Sequence, residues 1–104
     1  MRVVAIRNVH NLKMWPKEYY AVLSGEKTHE VRRDDRTPPF VVGDLIRLNE
    51  WVPDDPDACR YDAKGLTGVY TGNSLLVRIQ YITRGGEFGI PSDMCVMSIC
   101  KESP

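Results

Sequence analysis

The stretch PKEYYAVLSGEKTHEVRR, from Pro16 to Arg33, contains the chain's clearest change of period. Its first half is helical in pattern. Pro16 fits a first helical position, and Glu18 lies in the first turn, where a carboxylate meets the positive end of the helix dipole. Tyr19, Val22 and Leu23 recur at i, i+3 and i+4, and Gly25 closes the segment. From Lys27 to Arg33 the period falls to two, so Thr28, Glu30 and Arg32 share one face of an extended segment while His29 and Val31 share the other. The polar face has two readings. Either it points to solvent, in cross-strand pairs worth roughly a few tenths of a kcal/mol each, or it lines a binding cleft.

Outward from this stretch the pattern is almost entirely β. Toward the N-terminus, RVVAI is β-branched enough for a first strand, with residues 1–9 reading as that strand or as an arm. Beyond Arg33, the DDR run and the Pro38-Pro39 pair predict a loop to Phe40, followed by a turn at Val42-Gly43-Asp44. Leu45 to Trp51 alternates Ile46 and Leu48 with Arg47 and Asn49, a half-buried strand. Residues 52–73 hold Pro53, Pro56 and four aspartates and predict the longest loop or hairpin tip, variable and acidic, with a weak strand signal near Leu66 to Tyr70. Leu75 to Thr83 and Asp93 to Cys100 are strands separated by a turn at Arg84-Gly85-Gly86, and 101–104 is a tail. One helix near the N-terminus and four to six strands at antiparallel spacings, without a repeating βα rhythm, predict an α+β, mostly β fold. The expected form is a small β-barrel in a single domain over 1–104, with its core at about 10–100.

Composition narrows the function. At 104 residues, 42% apolar and 27% charged, the chain is a folded domain rather than a disordered or disulfide-dense one. No apolar run approaches the roughly 20 residues of a membrane span, and Arg7 interrupts the opening apolar run before any signal peptide develops, so a cytoplasmic protein is expected. Cys59, Cys95 and Cys100 lack CxxC spacing, and with only His10 and His29 beside them neither a metal site nor a cofactor is predicted. Both histidines read as structural. Charge is balanced, 14 cations against 14 anions, which argues against a sequence-independent polyanion binder. Yet residues 1–48 carry nine Lys/Arg against six Asp/Glu, a balance of +3, and 49–104 carry five against eight, a balance of −3. The densest basic group is Lys27, Arg32, Arg33 and Arg36; the acids gather at Asp54, Asp55, Asp57 and Asp62.

Read together, HNLK at 10–13, Tyr19, VLSGEKTHEVR at 22–32, Asp35-Arg36, Val42-Gly43-Asp44, Leu48, Glu50, Tyr70-Thr71-Gly72, Tyr81, Gly89-Ile90 and Val96 resemble the DUF3850 branch of the ASCH superfamily. The resemblance covers about residues 10–100, and its most specific parts are the G-x-K-T-x-E-x-R core and the V-G-D turn. It implies a PUA-like barrel with a cleft between barrel and helix, lined by Lys27, Thr28, Glu30 and Arg32, that binds RNA or a nucleotide. Arg32 offers a planar fork to a phosphate or guanine edge, Lys27 a mobile charge, and Glu30 an acceptor for an exocyclic amine. Lys13 at the cleft mouth, Arg33 and Arg36 would add cations, and a base would lie against Tyr81, Trp15 or Trp51, rings for which a place in the core is the other and favoured reading.

The same resemblance carries an enzymatic alternative, because some superfamily members are hydrolases acting on acetylated cytidine or on RNA. There the motif lysine, here Lys27, is catalytic and a threonine three residues on is the nucleophile. Glu30 stands at that position, Thr28 is one residue off as a substitute, and an ion pair to Arg32 would make Glu30 a poorer base. A third reading is a phage or mobile-element interaction module that captures a protein through the acidic loop. By resemblance the domain acts as a monomer.

Overall fold

The computed structural model describes residues 8–58 and 65–102. In chain order these form strand β1 (Val9–Met14), helix α1 (Pro16–Ser24), and strands β2 (His29–Arg33), β3 (Leu45–Pro53), β4 (Gly68–Arg84) and β5 (Met94–Lys101). The five strands make one sheet in the order β1-β3-β4-β5-β2. It curls into a half-barrel around the helix, so the α+β, mostly β class holds.

α1 forms where the period predicts. Pro16 opens it, and Gly25 closes it with φ 87°, a left-handed geometry without penalty for a residue lacking Cβ; its N–H bonds the Val22 carbonyl at 3.0 Å. Lys101 Nζ reaches the Leu23 carbonyl at 2.8 Å, tying the last strand to the negative end of the helix. Tyr19 and Val22 face the sheet and join a core of Leu12, Phe40, Ile46, Leu48, Val77, Ile79 and Met97.

Three expectations change. First, a strand runs over 9–14, and RVVAI lies outside the described residues. His10, Leu12 and Met14 alternate inward, but a histidine at the first inward position hides the pattern. Its polarity is satisfied inside: His10 Nε2 lies 2.7 Å from Asp44 Oδ2, and that same oxygen accepts the Val41 N–H at 3.1 Å. The predicted V-G-D turn is therefore also the lock on β1.

Second, β1 pairs with β3 in parallel, Val9 opposite Leu45 through Met14 opposite Glu50, whereas the spacings suggested antiparallel neighbours only. The helix and β2 intervene between the two strands, which supplies the long crossover that parallel pairing needs. Third, residues 68–73 are strand rather than loop tip. β4 runs 17 residues, and its signal is broken at Gly72-Asn73-Ser74 by a bulge: Asn49 pairs Ser74 and Trp51 pairs Tyr70, so three residues of β4 face Glu50 alone. The acidic stretch is described only to Ala58; Cys59 and Asp62 lie outside the described residues.

Candidate functional site

β2 is an edge strand paired with β5, Glu30 opposite Met97 and Arg32 opposite Cys95. Met97 and Cys95 are core residues, so cross-strand pairing sets Glu30 and Arg32 on the inner face. Val31 points out and is 48% exposed while Glu30 is 2% exposed. The strand is thus inverted with respect to ordinary amphipathicity: Glu30 and Arg32 turn toward the core side rather than to solvent, while Thr28 stays exposed.

The helix-to-strand corner completes the cluster. The Gly25 cap turns the chain so that the Lys27 N–H bonds the Ala21 carbonyl at 2.9 Å, and Lys27 Nζ then lies 3.1 Å from Glu18 Oε2 and 3.1 Å from Glu30 Oε1. Arg32 Nε donates to Glu30 Oε2 at 2.9 Å, and its Nη2 donates to the Lys13 carbonyl at 2.9 Å. The Lys27 contact to Oε1 lies off hydrogen-bonding angles, so this buried oxygen is held by charge without an accepted hydrogen bond. Glu18, Lys27, Glu30 and Arg32 sum to zero charge.

Arg32 also spans the open seam between the sheet's two edge strands, β1 and β2. Arg36 Nη2 reaches the Asn11 carbonyl at 3.5 Å, and Lys13 Nζ sits 4.1 Å above the Trp51 ring. Arg32 and Arg36 therefore line one seam, with Lys27 behind them and the Lys13 ammonium on the β3 side of β1.

The remaining candidates separate. Thr28 is exposed, and its carbonyl accepts the Ile99 N–H at 3.0 Å. Arg33 points outward, with a loose 3.4 Å contact to Asp93. Tyr81 pairs Ser98, which also pairs His29, so it stands on the outer face at 67% exposure, on the opposite side of the sheet from Glu30. Of the other rings, Trp51 is buried against Trp15, centroids 6.3 Å apart. Two surface concavities flank the cluster: one of about 560 Å³ bounded by Asn8–Asn11 and Arg36–Pro38, at the Arg36 end of the seam, and another of about 310 Å³ at Asn49, Tyr70 and Gly72–Ser74 on the outer face.

Pattern reading left Glu50 without a role. It is 3% exposed at the end of the inner face, and its Oε1 accepts from Thr71 Oγ1 at 2.8 Å and Asn73 Nδ2 at 3.0 Å. Burial and, secondarily, the Glu50 charge push the Tyr19 phenol above its ordinary value of 10.0. Glu50 follows Ile46 and Leu48 at period two, which was the available signal for an inward carboxylate. Elsewhere, burial raises the Cys95 thiol, making it an inert core group. Among the described residues no group of three metal-ligating side chains gathers, and no helix is long and apolar enough to cross a membrane.

A half-barrel on a single helix, with a neutralised charge cluster behind its open seam, defines a small mostly-β domain whose polar chemistry is gathered at one sheet edge. The chain belongs to the family described as a domain of unknown function, DUF3850, which residues 9–99 match. It is also similar to a protein of Escherichia phage P2 described as an uncharacterized 12.9 kDa protein in the GpA 3′ region, at 32% identity over 75 residues. That match takes in 72% of this chain and 54% of the phage protein, so it spans about half the length of the relative.

Proposed function

We propose that this domain, as a PUA-like member of the ASCH superfamily, binds a nucleotide or a short single-stranded RNA at the seam formed by Lys13, Lys27, Glu30, Arg32 and Arg36. The observation that carries this reading is the inverted strand. Glu30 turns a carboxylate inward against two cations that are themselves partly exposed, and such a buried ion cluster is weak evidence of a stabilising role, so the cluster fits recognition better than folding.

The chemistry suits a nucleotide. Arg32 uses two of the five N–H donors a guanidinium carries, is 27% exposed, and keeps a planar edge for a phosphate or a base. Lys13 and Arg36 add charge for phosphates along the seam, while the zero sum of the inner four residues favours a ligand with a neutral hydrogen-bonding part. Glu30 fits the role of a positioning acceptor; each of its oxygens is engaged by a cation, so a general-base role would require one of them to leave.

The test is a chemical-shift titration of the labelled chain with nucleosides, nucleotides and short RNAs, with the same samples assayed for product. Shifts at the 27–32 amides, lost in Lys27→Ala and Arg32→Ala, are the expected result. Turnover abolished in Glu30→Gln would replace binding with hydrolysis, and silence at 27–32 across the panel would end the reading.

A further inference from the structure

We propose a second base-binding subsite at the β4 bulge, where Tyr70, Gly72, Asn73 and Ser74 face Asn49 across a concavity of about 310 Å³. This inference rests on the nucleotide reading of the seam and extends it from one base to at least two.

The bulge is a built feature. Thr71 and Asn73 both donate to the buried carboxylate of Glu50, and the Asn73 N–H bonds Thr71 Oγ1 at 3.1 Å, closing a small ring under the turn. Gly72, at φ 92°, stands out from the strand with open space around its α-carbon. A regular ladder would cover the surface between Tyr70 and Ser74; the bulge instead leaves a hollow there, floored by Asn49. Tyr70 is 60% exposed beside it. Exposed tyrosines on a sheet face are stacking platforms for unpaired bases, because every base has a π-face.

The polar rim has a definite sign. Asn49 Nδ2 already donates to the Leu12 and Arg47 carbonyls, and Asn73 Nδ2 donates to Glu50, so each amide has its carbonyl oxygen left to offer. Ser74 adds a hydroxyl. Two acceptors beside an aromatic ring favour a planar ligand with two donors, and the exocyclic amino group of adenine, cytosine or guanine carries two N–H where uracil offers a single ring N–H. The volume lies at the small end of ligand sites and matches a single ring system rather than an extended molecule.

Position joins this hollow to the seam. Lys13, Asn49 and Ser74 are successive register partners across β1, β3 and β4 and so form one row on the outer face. The carbonyl of Lys13 holds Arg32 at the seam, while its ammonium lies over Trp51, the cross-strand partner of Tyr70. A strand with one nucleotide at Arg32 would leave the inner face over the β1 edge at Lys13, and a later base along the same strand would reach Tyr70.

The test titrates the labelled intact chain with adenosine monophosphate, a single-stranded tetra-adenosine RNA, the tetra-uridine RNA and maltotriose. Tetra-adenosine is expected to move the 27–32 and 70–74 amides together and to bind more tightly than tetra-uridine. Tyr70→Ala should weaken tetra-adenosine binding about tenfold, the scale of one lost stack, and leave the monophosphate response at 27–32 unchanged. Tyr70→Phe should restore tetra-adenosine binding. Silence at 70–74 with a response at 27–32, or unchanged affinity in Tyr70→Ala, overturns the subsite and leaves the seam standing. A response at 70–74 alone keeps the subsite and removes the seam; silence at both removes both. Movement of 70–74 with maltotriose and not with RNA assigns the hollow to sugars and overturns the proposal.

Discussion

Two corners of the same small sheet each bury a carboxylate, and they do so in opposite styles. At one, Asp44 holds the ring of His10 and the backbone of Val41, and every partner is itself buried or part of a turn. At the other, Glu30 holds Lys27 and Arg32, whose side chains are 19% and 27% exposed and have further partners of their own. The first corner joins backbone segments that would otherwise not meet and is architectural. The second joins side chains that solvent, or a ligand, can reach. Burial of a charge is therefore a poor sign of function by itself; what separates the corners is whether the partners have anywhere else to go.

That contrast is breakable. Asp44→Ala leaves a buried imidazole and a part-buried N–H without their acceptor, and should lower unfolding stability by about 3 kcal/mol in urea titration. A loss below about 1 kcal/mol would erase the distinction. Glu30→Leu should behave differently, because Lys27 keeps Glu18 and Arg32 keeps the Lys13 carbonyl. Its stability should stay within about 1 kcal/mol of the parent, or rise, while nucleotide-dependent shifts at 27–32 vanish. A Glu30→Leu chain that unfolds as readily as Asp44→Ala would make both corners architectural.

A pH measurement sharpens the picture at the third buried carboxylate, Glu50. Burial and that charge raise the Tyr19 phenol in the folded state, so the neutral form is favoured by folding. The stabilisation is complete below the unfolded value of 10.0 and is lost as pH rises through the folded value. Unfolding free energy should therefore decline above about pH 10, and Tyr19→Phe should flatten that alkaline limb. The smallest effect belongs to Arg33→Ala: its outward pair with Asp93 is mostly solvated, so stability should move by less than about 0.5 kcal/mol and the 27–32 response should survive.

Residues with local causes were legible without a fold. Pro16, the Tyr19-Val22-Leu23 spacing and Gly25 specify a helix through contacts within a turn or two, and Val42-Gly43-Asp44 specifies its turn through a carboxylate bonding its own neighbourhood. Glu30 and Arg32 could be grouped from parity and Lys27 from family resemblance, and these three do meet, whereas Thr28, grouped by the same parity, lies exposed outside the cluster. Tyr81 could not be placed, because parity says which residues share a face and not which face turns inward.

What sequence alone determined here is therefore periodicity: one helix, several strands, and a strand with charges on one side and His29 and Val31 on the other. Only the tertiary structure decided that the charges face in, that β1 lies parallel to β3, and that Thr71 and Asn73 fold a bulge over Glu50. Each of these depends on a partner distant along the chain, Met97 for Glu30, Leu45 through Glu50 for β1, and Asn49 with Trp51 for the bulge. A local pattern carries the strength of a preference and its period, while its direction is fixed by the residues it packs against.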